Sequence, residues 1–118
     1  MIEYLMQSNL AANSTNDLMT DADTGEAQSR FVTRPSRVQV AIEASAVGVE
    51  LEIYSGARTV VARSSLDAGG TTGVFPNINE KSFTFFAAAG EKLRFVLREI
   101  AAAATTDVMA AVSVQPIG

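Results

Sequence analysis

Ser36-Arg37-Val38-Gln39-Val40-Ala41-Ile42-Glu43-Ala44, followed by Val47-Gly48-Val49-Glu50-Leu51-Glu52-Ile53-Tyr54, is the stretch that decides the fold. Val38, Val40, Ile42 and Ala44, then Val47, Val49, Leu51 and Ile53, put an aliphatic side chain at every second position, which is the period of a strand with one buried face. Arg37, Gln39, Glu43, Glu50 and Glu52 fall on the opposite face. Two strands are predicted here. Ser45-Ala46 between them is short enough for a hairpin, although it lacks the favoured Asn-Gly or Asp-Gly pair. Ser55-Gly56-Ala57 then turns the chain into a third strand over 58–63, so the middle of the chain reads as a meander.

The same alternation continues toward the C-terminus. Phe83 and Phe85 share one face of a strand over 81–86, with Thr84 and Phe86 on the other; Leu93, Phe95 and Leu97 alternate with Arg94, Val96 and Arg98; and Val108, Ala110, Val112 and Val114 face one way over 107–115. Six short runs separated by turn signals indicate an all-β antiparallel β-sandwich, jelly-roll-like, over residues 36–118. Residues 101–106 read as a small-residue connection. The alanine-rich runs 86–89 and 99–104 could each form a helical turn, but neither is long enough to stand alone. Val61, Phe86, Val96 and Met109 lie opposite the main aliphatic faces, so several strands are expected to be covered on both sides.

Residues 1–35 have a different character. From Gln7 to Ser29 the chain is rich in Asn, Ser, Thr, Asp and Ala, and its sizeable apolar residues are Leu10, Leu18 and Met19. No strand or helix period is sustained there, so the segment reads as an extended N-terminal arm. It either docks on a neighbouring subunit or lies as a tail or long loop across its own domain.

With 118 residues the chain has the size of one domain. It has no cysteine, histidine or tryptophan, which removes disulfides, thiolate and imidazole metal sites and cysteine nucleophiles together. Thirteen acidic against nine basic residues give a net charge of -4, so a broad electrostatic grip on nucleic acid is not expected. No stretch approaches the roughly 20 apolar residues of a membrane span, and no basic leader opens the chain; it reads as soluble, made in the cytoplasm and without a membrane partner.

Candidate chemistry fails on context. Asp23-Thr24-Gly25 matches the aspartic-protease triplet, yet it sits in a polar acidic stretch with no apolar strand before it. Asp21, Asp23 and Glu26 lack the ligand order of an EF-hand. Gly69, Gly70 and Gly73 are followed by Val74-Phe75-Pro76, not by the Lys and hydroxyl residue of a P-loop. Arg94 and Arg98 share a strand face with Val96 between them rather than a stacking aromatic, so pairing with the Glu50 and Glu52 face is favoured over nucleic-acid contact. No enzyme activity, cofactor or metal is expected.

The polar arm, the Val-rich run from Val38 to Val61, the Gly-Thr loop from Gly69 to Gly73 and the closing strand with its Pro-Ile-Gly end together resemble the small cement, decoration or minor capsid proteins of tailed-phage and related virus particles. That resemblance implies a virion protein acting as a homo-oligomer, with a trimer favoured over a dimer, against the major capsid protein. The candidate partner-binding residues are Leu10, Leu18 and Met19 of the arm and Thr71, Thr72, Val74, Phe75 and Ile78 of the loop. A carbohydrate- or other ligand-binding module using the 69–79 loop is the alternative, weakened by the shortage of aromatic platforms.

Overall fold

The computed structural model describes residues 2–100 and 106–117. The small-residue connection expected over 101–106 and the helical turn considered over 99–104 fall largely outside the described residues. Among the described residues eight strands form two four-stranded sheets: β1 (Ile2–Leu10), β2 (Thr15–Asp17), β3 (Ser36–Ala44), β4 (Val49–Ser55), β5 (Arg58–Ser65), β6 (Phe83–Ala87), β7 (Leu93–Glu99) and β8 (Thr106–Pro116). One sheet has the order β1-β8-β3-β6 and the other β2-β7-β4-β5.

The order follows from one simple construction. β1 pairs with β8, β2 with β7, β3 with β6 and β4 with β5, all antiparallel, so the chain is a single long hairpin doubled back at β4–β5. Rolling that ribbon up brings β3 beside β8 and β4 beside β7 and closes the two sheets. This is the jelly roll. Its tip is the two-residue turn Gly56-Ala57 between the paired Ser55 and Arg58, and Gly56 takes φ +60°, a value that suits a residue without Cβ at the first central position of such a turn.

The core lies where the alternation places it. Val38, Val40 and Ala44 of β3, Val49, Leu51 and Ile53 of β4, Leu93, Phe95 and Leu97 of β7, and Val108, Ala110 and Val112 of β8 are all buried in one cluster. Phe83 and Phe85 point inward and Phe86 outward, as their alternation requires.

Two expectations are corrected. β3 and β4 are not hairpin partners, because β8 and β6 occupy the two sides of β3, and the 45–48 connection carries the chain across to the other sheet. Alternation marks a buried face but carries no information about which strand lies alongside, so a crossing between sheets and a hairpin look the same in sequence.

The second correction concerns the arm. Residues 2–35 are woven into both sheets, with β1 along β8, β2 along β7, and a helical turn α1 (Leu18–Asp21) between the sheets' ends. Leu10, Leu18 and Met19 are buried in the same core as the strands, as are Ala22, Ala27 and Val32. The strand period of β1 is hidden because Glu3, Leu5 and Gln7 share its inward face, which makes that face mostly polar. A bulge between Gln7 and Leu10, with Asn9 at φ +56°, then breaks the register.

A carboxylate locks the hairpin tip to the β6–β7 turn. Glu91 accepts from the Arg58 guanidinium at 2.7 Å, the Ser55 hydroxyl at 2.8 Å and the Ala88 amide at 2.7 Å. The hydrogen bond from Arg58 above all, with those from Ala88 and Ser55, lowers the Glu91 pKa to about 2.

Two outcomes are expected. The folded pKa of Glu91 lies below its ordinary value of 4.5, so its stabilisation is full above that pH and is lost as pH falls toward 2. Glu91→Gln should therefore lower Tm at pH 7 by roughly 3–6 °C and leave it nearly unchanged at pH 2, as scanning calorimetry would show. Deleting residues 1–30 should abolish cooperative unfolding rather than release a stable sandwich. Each lost buried Leu or Met removes about 1.5–3 kcal/mol, and a domain has only about 5–15 kcal/mol in all.

Candidate interaction surface

The longest connection without a helical turn, residues 66–82, lies as a strap over the outer face of the β1-β8-β3-β6 sheet. It starts as a continuation of that sheet: the Ala44 amide donates to the Asp67 carbonyl at 2.7 Å and the Gly70 amide to the Ala44 carbonyl at 3.0 Å. Farther along, the Thr72 hydroxyl donates to Asp107 at 2.6 Å and the Gln39 amide group to the Ile78 carbonyl at 3.2 Å. Lys81 closes its base by pairing with Asp67.

Small side chains under the strap make this fit possible. Ala41 and Ala111 on the outer sheet face form a second apolar cluster with Ile78. Gly70 sits so close to the sheet that a Cβ there would lie 2.9 Å from Glu43 Cγ and 3.0 Å from both the Ala44 carbonyl and Met109 Cε. Consequently Met109 and Ala111 are buried although they face away from the main core.

The candidate partner-binding residues separate into two groups. Leu10, Leu18, Met19 and Ile78 are buried within the domain, so this packing withholds them from any partner. Thr71 and Thr72 are exposed on the strap, and Val74 and Phe75 project from it at 57% and 37% exposure. Phe75 meets Tyr4 of β1 with ring centroids 5.3 Å apart and planes tilted by 58°. Tyr4 is itself 53% exposed and Ile2 lies farther along the same strand face. Tyr4 and Phe75 thus make an exposed aromatic pair, with Ile2 next along the strand face and exposed Val74 preceding Phe75 in the strap, a composition that interface cores favour. Tyr4 lies on a strand whose period the sequence conceals.

The outer face of the other sheet is charged and internally matched. Glu50 pairs with Arg63 at 2.5 Å and Glu52 with Arg98 at 2.7 Å, while Arg94 lies 4.6 Å over the Tyr54 ring. Pairing between this arginine strand and the Glu50 and Glu52 face is therefore real for Arg98. Arg94 takes an aromatic partner instead, because the register puts Tyr54 directly opposite it. The hydrogen bond from Arg98, and then that from Tyr54, lowers the Glu52 pKa, and the hydrogen bond to Glu52 raises that of Tyr54.

The acidic residues singled out near the N-terminus do not converge on a common point. Asp17 caps α1 through the Met19 amide and also accepts from the Phe95 amide, and Asp21 accepts from the Asp17 amide. Asp23 holds the Ser8 amide and hydroxyl, at 3.0 and 2.5 Å, and Glu26 pairs with Arg30. Each carboxylate is engaged by nearby amides, hydroxyls or a single cation. Among the described residues no group of three or more His, Cys, Asp or Glu is arranged to hold a metal ion, and no helix is long and apolar enough to cross a membrane.

The strap should be sensitive to volume at its contact point. Gly70→Val is expected to destabilise by about 1–3 kcal/mol and to open the 66–82 segment to limited proteolysis, whereas Gly69→Val, with open space around it, should do neither.

Comparison with known proteins bears on the fold. No family model and no curated protein matches this sequence. Among solved structures the chain is similar to the PRD1 vertex protein P5, with a TM-score of 0.52 and 12% sequence identity over 98% of this chain and 73% of that one. Likeness at that identity shows a shared architecture.

Proposed function

We propose that this chain is a non-enzymatic structural protein of a virus particle, a cement, decoration or minor capsid protein that stabilises junctions between shell subunits. The observation that carries the reading is the aromatic pair of Tyr4 and Phe75, with exposed Ile2 and Val74 near it, on a sandwich whose other outer face pairs its charges internally. The architecture shared with a vertex protein supports it.

In this reading the domain works by adhesion. A protein that binds only the assembled shell stabilises it by mass action, by about 2.7 kcal/mol for each site when its free concentration is a hundred times Kd. A rigid two-sheet body suits that task, since little conformational entropy is lost when it docks. The partners are further copies of this chain, with a trimer favoured over a dimer, and the major capsid protein.

Attachment tests the proposal. Phe75→Ser should leave the fold intact and reduce occupancy on purified shells at least about tenfold, with a matching loss of the protection that the wild type gives against thermal rupture. Light scattering on the isolated protein should show an oligomer. A stable monomer that ignores shells and binds glycans on an array would overturn the proposal in favour of a ligand-binding module.

A further inference from the structure

Each sheet of a sandwich ends in two strands whose outer backbone groups lack a neighbour, and soluble chains block such edges. Three of the four are blocked here. β2 is three residues long and runs directly into α1. β5 carries Arg58 and Arg63, and its register against β4 shifts twice between Leu51 and Tyr54. On β6 the Arg58 guanidinium donates to the Phe86 carbonyl at 3.0 Å.

β1 is guarded over only its second half. The Asp23 amide donates to the Met6 carbonyl at 2.8 Å, the Asp23 carboxylate holds Ser8, and the bulge follows at once. Those bonds show that Met6 and Ser8 direct their backbone groups away from β8. By the alternation of an antiparallel ladder, Ile2 and Tyr4 do the same. No hydrogen bond among the described residues reaches their outward groups. A groove of about 580 Å³, walled by Ile2, Tyr4, Gln28, Ser29 and Val114, runs beside this open stretch.

We propose that the Ile2–Leu5 edge accepts an extended strand of a different protein, apolar opposite Ile2 and Tyr4 and basic opposite Glu3. The apolar positions of such a strand fall on the face that carries Tyr4 and Phe75. A second copy of this chain is a poor occupant, because two-fold pairing through the same outward groups sets Ile2 against Tyr4 and Glu3 against Glu3. Like charges directly opposite in a ladder repel. Glu3 also stays charged: burial opposes ionisation, but bonds from the Ser29 hydroxyl and the Gln28 and Ser29 amides outweigh it and hold the carboxyl below its usual range. The proposed function enters only in naming the source of the strand, a segment of a shell subunit.

The probe is the peptide acetyl-Thr-Val-Lys-Val-Thr-amide, titrated into the isotopically labelled full chain while amide exchange is followed by NMR. Exchange at Ile2 and Tyr4 should slow at least about tenfold. Replacing the peptide's Lys by Glu should weaken binding severalfold, and N-methylating its valines should abolish it, a control that leaves the protein unaltered. Tyr4→Pro, which removes one outward donor, should abolish protection with the remaining spectrum intact. Unchanged exchange at millimolar peptide, or equal protection by the Lys and Glu peptides, would overturn the proposal. So would protection that grows with protein concentration alone, the mark of self-pairing. Shells are absent from this assay, so failure of attachment to shells alongside intact peptide pairing would count against the shell reading only.

Discussion

β8 is the element on which the rest depends. It lies in the middle of its sheet between β1 and β3, and from Val108 to Val112 every side chain is buried, whichever face it points to. A strand covered on both faces needs two layers of cover, and this small domain supplies the second from the 66–82 loop. The outward residues must then be small enough for a loop backbone to approach. Ala111 and its neighbour Ala41 meet that need, and Gly70 answers from the other side. Position of the strap in turn fixes where Phe75 emerges, beside Tyr4 on the strand that β8 itself holds in place.

The strands readable in the sequence are β3 to β8, most plainly β3, β4, β7 and β8, whose inward faces are apolar at every second position. β1 could not be read that way, since its inward residues include Glu3 and Gln7 and its register breaks at a bulge. β2 is too short to show a period. Sheet membership was hidden for a different reason, because alternation is a property of one strand and partnership a property of two. For the surface, loop composition pointed correctly to Val74 and Phe75 as exposed, but it could not show that Ile78 turns under the strap or that Tyr4 completes the aromatic pair. Leu10, Leu18 and Met19 look adhesive in the sequence because an apolar residue in a polar stretch looks alike whether it meets its own core or another molecule's.

The acidic side chains share a habit that composition conceals. Glu3, Asp17, Asp21, Asp23, Glu91 and Asp107 each accept from at least one backbone amide at a turn, a bulge or a helix start. A carboxylate doing this is pinned in place and satisfies a donor that a tight loop would leave unmet. The net negative charge of the chain is thus largely tied to the shape of its loops. Charge held in that way favours rigidity over reactivity, which accords with a molecule that works by contact.

The pairing of β1 with β8 also sets a timetable. Tyr4 lies opposite Ala111 and Ile2 opposite Ser113, so this ladder joins the two strands that are farthest apart along the sequence. Each of the four hairpin pairs closes a longer loop than the one inside it, and only β4 with β5 is local. Folding that begins at the Gly56-Ala57 tip and zips outward meets the smallest entropic cost at every step. In that order β1 is the last strand to pair, closing on β8 after β2 has joined β7.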